Sequence, residues 1–160
     1  MAQLFEGSFL APTGRFAVCV SRWNSPITEQ LRAGAEDALL RHGVAEVDVH
    51  VFKVPGTFEL PALVRRLAES GRYLGVVALG CLIRGGTPHF EYLAAEVARG
   101  LGEVARTADC AVSFGVLTCD SVEQAVDRAG MKAGNKGAEA AMACLEMVNL
   151  YARLGTGKKK

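Results

Sequence analysis

No run of apolar residues in this chain approaches the length of a membrane span. The opening MAQLFEGSFLAP has no basic n-region and carries Glu6 where an apolar h-region would sit, so neither a spanning helix nor a secretory leader is expected. Net charge is nearly absent. With 18 basic against 17 acidic side chains the balance is +1, which offers no field for nucleic acid, a membrane surface or a polyanion, and any anion site must be local. Cysteine pairing is lacking as well: Cys19, Cys81, Cys110, Cys119 and Cys144 are odd in number, widely spaced and without a CxxC. They read as reduced core residues of a cytoplasmic protein. His42, His50 and His89 share no metal-ligand spacing, so no metal is expected. Neither the Walker pattern nor GxGxxG occurs, which removes the two familiar nucleotide cradles.

What the chain does have is length and apolar content, 160 residues of which 50% are hydrophobic, enough for one self-sufficient core. Residues 1–14, ending in Pro12-Thr13-Gly14, read as an arm, 15–154 as a single domain and 155–160 as a disordered basic tail. Inside the domain, short apolar runs alternate with amphipathic segments, the pattern of a parallel sheet covered by helices. Phe16 to Val20 predicts a strand. Ser25-Pro26 then predicts an N-cap with proline at the first helical position, and Ile27, Leu31, Ala35 and Leu39 repeat at helical spacing until Gly43. Val47, Val49 and Val51 alternate as a second strand that stops at Pro55-Gly56, and Leu60 to Ala68 predicts a short helix. Leu74 to Ile83 is almost wholly apolar, as a strand buried on both faces must be. Phe90, Leu93, Ala94, Val97 and Leu101 then mark a helix. Val112 to Leu117 predicts the fourth strand, Ser121 with Gln124 a capping box, and Ala138 to Leu154 the last helix. Four strand-helix units in this order predict a flavodoxin-like three-layer α/β/α sandwich around a four-stranded parallel sheet, with ligands at the carboxyl ends of its strands.

That rule concentrates attention on the loops after the strands. Arg84-Gly85-Gly86-Thr87 joins the buried strand to a helix, where glycines admit a ligand to free N–H groups and the helix dipole favours an anion such as one phosphate; a plain tight turn is the competing reading. His89 opens the next helix, and an imidazole with an ordinary pKa of roughly 6.5 shuttles protons near neutrality, against the alternative of a surface histidine. Trp23 is the only tryptophan; it either stacks on a heterocycle or packs over the sheet edge. Phe58-Glu59 offers a ring and a carboxylate to a ligand, or only helix-start packing and dipole complementation. Arg128, Lys136 and Glu139 bracket the connection from Gly130 to Asn135; Arg128 has the fork that grips phosphate, although solvated helix-end charge is their ordinary reading.

Together these segments resemble a known family. Arg22-Trp23-Asn24, Val54 to Pro61, Leu79-Gly80 with Ile83 to Tyr92, Phe114 to Thr118, Glu123-Gln124-Ala125, Arg128-Ala129-Gly130 and Gly134 to Ala141 are similar, in this order and spacing, to 6,7-dimethyl-8-ribityllumazine synthases, over roughly Phe16 to Tyr151. The resemblance implies a cofactor-free transferase of riboflavin biosynthesis that condenses 5-amino-6-(D-ribitylamino)uracil with 3,4-dihydroxy-2-butanone 4-phosphate, releasing phosphate and water. It implies that Trp23 stacks on the pyrimidine, with Asn24 and Lys136 also on the ribitylaminouracil. Thr57, Phe58 and Glu59 would contact the ribityl chain, and Cys81, Leu82 and Ile83 would line the uracil pocket. Gly86, Thr87 and Arg128 would hold phosphate, and His89 would move protons. Phe114 and Arg128 would come from a neighbouring subunit, in a homopentamer or an icosahedral shell of pentamers. The same resemblance implies an arm lying along a neighbour's sheet and admits association with riboflavin synthase. Trp23 and Thr57 stand where phenylalanine and alanine are common, and Cys81 where threonine is common. Two other classes fit the pattern less well: a non-catalytic flavin or lumazine carrier of the same fold, and an electron carrier holding flavin mononucleotide, for which Ser21 to Ser25 is a poor phosphate loop.

Overall fold

A computed structural model describes residues 1–155; the tail expected to be disordered lies, from residue 156 onward, outside the described residues. Four strands, β1 (Phe16–Ser21), β2 (Val49–Val54), β3 (Gly75–Ile83) and β4 (Ala111–Cys119), form one sheet in the order β2-β1-β3-β4. Every pairing in it is parallel. Five helices connect and cover them: α1 (Ser25–Arg41), α2 (Leu60–Glu69), α3 (His89–Thr107), α4 (Val122–Arg128) and α5 (Lys136–Leu154). This is the expected α/β sandwich.

Alternation along the strands divides the core in two. Phe16, Val18 and Val20 of β1 and Val77, Leu79 and Cys81 of β3 face the layer that contains Leu31 and Leu39 of α1 and Ala141 and Leu145 of α5. Ala17, Cys19, Val76 and Ala78 point the other way, toward Val64 of α2 and Val97 and Leu101 of α3. Each fully buried leucine or valine contributes roughly 1.5–3 kcal/mol relative to exposure. The first layer is tight enough to dictate residue type. A Cβ added to Gly137 would lie 2.0 Å from the carbonyl oxygen of Leu31, so glycine is what lets α5 approach the α1 backbone.

Several local expectations need correction. Asn24, not Ser25, occupies the cap of α1, in a left-handed conformation (φ 63°) that asparagine tolerates better than most residues. Its carbonyl accepts from the N–H groups of Ile27 and Thr28. Val47 lies outside the second strand, in a 3-10 turn (Glu46–Asp48) that its solvent-facing side chain permits. Ser121 accepts from the Gln124 N–H at 3.2 Å as the capping box requires, but the Gln124 carboxamide turns to the N–H of Asp120, 2.8 Å away. The last helix starts at Lys136, two residues early, because Asn135 caps it. Within this chain, residues 6–11 run along α5 and the end of α1. Arg153 donates to the Glu6 carbonyl at 2.6 Å, Asn149 to those of Ser8 and Leu10 at 2.7 and 3.0 Å, and Ala11 N–H to His42 at 3.0 Å.

Gly137→Ala should destabilise the fold by about 1–3 kcal/mol or more, since neither helix backbone can yield 1 Å without repacking the layer. The urea midpoint at fixed protein concentration measures this, and an unchanged midpoint would contradict the α1–α5 packing described.

Candidate active site

Parallel strands bring their carboxyl ends to one side, and the reversal of chain order between β1 and β3 opens a crevice there. Hydrogen bonds tie the loops along this rim in sheet order. Arg22 N–H and Trp23 N–H donate to the carbonyls of Val54 and Pro55, at 2.8 and 3.1 Å, joining the loops after β2 and β1. Asn24 Nδ2 donates to the Cys81 carbonyl at 2.8 Å, joining β1 to β3. Arg84 N–H donates to the Cys119 carbonyl at 2.8 Å, joining β3 to β4.

On this rim Trp23 is 69% exposed and Phe58 61%. The indole is not tucked over the sheet edge; it lies against Gly56, where an added Cβ would come within 2.9 Å of Trp23 Cε3. Most of its surface therefore remains open for stacking. The Glu59 carboxylate accepts from Gly56 N–H at 3.0 Å, which supports the helix-start role, while its side chain stays at the exposed rim. Thr57 is buried, as are the side chains of Cys81 and Leu82 beneath the rim; Ile83 is half-buried.

Gly85, Gly86, Thr87 and His89 are exposed, and His89 is the first residue of α3. Neither glycine has a positive φ, and a Cβ on either would meet nothing within 4 Å. No turn geometry and no neighbour in this chain demands glycine there. The adjacent Arg84 is already engaged: its Nε donates to Asp120 at 2.8 Å, its other end pairs with Glu91, and its guanidinium stands 4.7 Å over the Phe90 ring. Arg84 thus braces the start of α3 against the loop after β4.

A second group lies apart, along the open edge of β4. Phe114 to Thr118, Arg128, Lys136 and Glu139 line a trough of about 370 Å³. A smaller apolar hollow of about 270 Å³ follows it between Leu101, Gly102 and Ala105 of α3 and Val112 to Phe114. Phe114 belongs to both and is 49% exposed. Lys136 pairs with Glu139 at 2.7 Å, whereas Arg128, among the described residues, donates only to the Gln124 carbonyl at 3.2 Å and has no carboxylate partner. It is the uncompensated cation of the trough.

Residues 13–152 match the family described as 6,7-dimethyl-8-ribityllumazine synthase. A protein of that name from Myxococcus xanthus strain DK1622 is 60% identical over 159 residues, covering 96% of this chain and 95% of its own. Another, from Anaeromyxobacter dehalogenans strain 2CP-C, is 61% identical over 147 residues, covering 92% and 91%. The chain belongs to the 6,7-dimethyl-8-ribityllumazine synthase family. It is therefore a transferase of riboflavin biosynthesis.

In this member of the family the candidate residues fall into two sets. Trp23, Asn24, Thr57, Phe58, Glu59 and Cys81 to His89 share the rim, while Phe114, Arg128 and Lys136 line the trough at the edge strand without them. Sequence reasoning passed over the brace at Arg84, whose partners lie 7 and 36 residues away. It also passed over Asn24 as a tie between strands, for which an asparagine just before a Ser-Pro helix start was the only available signal.

Burial pushes the thiols of Cys19, Cys81 and Cys144 up to about 12, so none is a nucleophile at neutral pH. Unfolded, they release protons near their ordinary value of 9.0; folded, they keep them to about 12. Stability from this source is complete below pH 9 and falls as pH rises through that window. Urea midpoints at pH 8 and 10 should drop for the parent and drop less for Cys19→Ala, whatever the variant's absolute stability.

Proposed function

We propose that this lumazine synthase condenses 5-amino-6-(D-ribitylamino)uracil with 3,4-dihydroxy-2-butanone 4-phosphate, releasing phosphate and water, with residues 15–154 as a single domain and residues 1–14 as its arm. The observation that carries the reading is the open anion loop. Gly85 and Gly86 leave space that this chain does not fill, at the N-terminus of α3 and next to His89, as a phosphate-bearing substrate requires.

The pyrimidine stacks on the free face of Trp23, with Asn24 and Lys136 beside it. The ribityl chain passes Thr57, Phe58 and Glu59, and the strand end from Cys81 to Ile83 forms the floor. Because the side chain of Cys81 is buried and its carbonyl is taken by Asn24, threonine or cysteine there makes little difference to the ligand. Gly86 and Thr87 hold the phosphate from one side and Arg128 from the other. Phe114 and Arg128 serve the rim of an adjacent subunit. Their position at an unpaired strand edge, with an exposed ring and an uncompensated guanidinium, supports that sharing. We propose a homopentamer, and prefer an icosahedral shell of pentamers on the short Gly130 to Asn135 connection, with room for association with riboflavin synthase. Five free thiols support a reducing compartment, the cytoplasm.

Chemically, the uracil amine attacks the ketone, an imine forms, phosphate leaves, and the second amine closes the ring before the final dehydration. Each step moves a proton, and His89 takes and returns them. A positioned general acid-base contributes about 10²- to 10⁴-fold, whereas holding two reactants face to face contributes at least as much.

Absorbance of lumazine on mixing protein with both substrates tests the reaction. His89→Ala should lower kcat by about 10²-fold without abolishing turnover. Arg128→Ala should raise KM for the butanone phosphate by about tenfold, the scale of one charge-assisted bond. Binding of both substrates without acceleration over the blank would replace the enzyme by a ligand carrier, and an unchanged KM in Arg128→Ala would remove the phosphate assignment.

A further inference from the structure

Asn135 uses its whole side-chain amide on three separate elements. Oδ1 accepts from the N–H groups of Gly137 and Ala138, at 2.8 and 3.0 Å, capping α5. Nδ2 donates to the carbonyl of Gln30 in α1 at 2.9 Å and to that of Ala129, just past α4, at 3.3 Å. A helix cap needs only the oxygen. The two donations are additional, and they fasten the connection between α4 and α5 onto α1. A backbone bridge between Ala129 and Asn135 closes the same connection.

Room for this latch comes from Gly34, where a Cβ would lie 2.4 Å from the Asn135 side chain. Gly34 has no positive φ, so contact with Asn135, not backbone conformation, excludes a larger residue. The latch ends one residue from each cation of the trough: Arg128 precedes Ala129, and Lys136 follows Asn135.

We infer that Asn135, seated against Gly34, is a positioning residue that fixes the place of Arg128 in the trough and thereby the grip on the substrate phosphate. The inference rests on the proposed role of Arg128. It makes the amide donors, not the cap, the functional part of the side chain. Asn135→Asp preserves both cap bonds, loses both donations and sets a carboxylate oxygen against two carbonyls. Gly34→Ala displaces Asn135 without changing its chemistry.

Steady-state kinetics with both substrates, and inhibition by inorganic phosphate, separate positioning from folding. In each variant KM for the butanone phosphate and the inhibition constant of phosphate should rise together by about threefold, part of the charge-assisted bond lost outright in Arg128→Ala, while kcat stays within about twofold. A general loss of structure lowers the active fraction, and so kcat, while leaving KM alone. Native KM in Asn135→Asp, or a fall in kcat without a change in KM, would overturn the inference. So would failure of both variants to fold, since Asn135 would then be a folding determinant; if only one folds, its constants decide. Arg128→Ala is measured alongside. If its KM is native, the phosphate assignment itself is lost, whereas a raised KM there with native values in the two latch variants removes the latch alone.

Discussion

Burial of β3 on both faces is the constraint from which the rest follows. Eight of its nine residues are buried, so the strand has no face to give to water and none to give to a ligand. Two helical layers must cover it, and connections that alternate strand and helix then make the sheet parallel. Parallel strands leave their carboxyl ends on one side. Chemistry is available only where β3 runs out, between the half-buried Ile83 and the exposed Arg84. The neighbouring loops take their positions from that end: Asn24 donates to the Cys81 carbonyl of β3, and Arg84 ties its terminus to β4.

A chain with a net charge of +1 still builds a locally cationic trough, because pairing decides which charges are felt. Arg84, although adjacent to the glycine loop, is neutralised by Asp120 and Glu91, and Lys136 by Glu139. These exposed pairs add little stability. Their effect is to leave Arg128, among the described residues, as the trough cation without a carboxylate partner. The same guanidinium lies near enough to Cys119 to offset part of the rise that burial imposes on that thiol, which places its field at the carboxyl end of β4.

What was legible in the sequence was whatever a single segment settles by itself. The apolar run to Ile83, the helical spacing of Ile27, Leu31, Ala35 and Leu39, and the Ser121 cap depend on neighbours within a few residues, and all are found. Val47 was misread because a 3-10 turn and a strand both accept an isolated exposed valine. The start of α1 was misread because Ser-Pro suits the first two helical positions as well as it suits the cap and first. The brace at Arg84 and the ties made by Asn24 and Asn135 were not legible, since each joins elements whose proximity exists only after the sheet order is set. The open surroundings of Gly85 and Gly86 were equally hidden. A glycine pair reads the same in sequence whether a turn or a ligand requires it.

The position of the trough also bears on how the barrier is lowered. A histidine at a helix start is a modest catalyst by itself, and orientation of two reactants contributes more than proton transfer. Orientation is a property of the supports: loops tied across the sheet end, an indole laid on Gly56, an arginine whose helix is fastened at Ala129. Edge strands are ordinarily a hazard, because unpaired N–H and C=O groups invite another chain. Here the edge of β4 carries an exposed phenylalanine, an apolar hollow on one side and an unpaired cation on the other. Such an edge is suited to association with another chain, and under the proposed sharing of the site, covering the apolar surface and completing the phosphate grip would be one event. Under that proposal catalysis and association draw on the same surface, and the precision of the reaction is set by how firmly each chain holds the residues it lends.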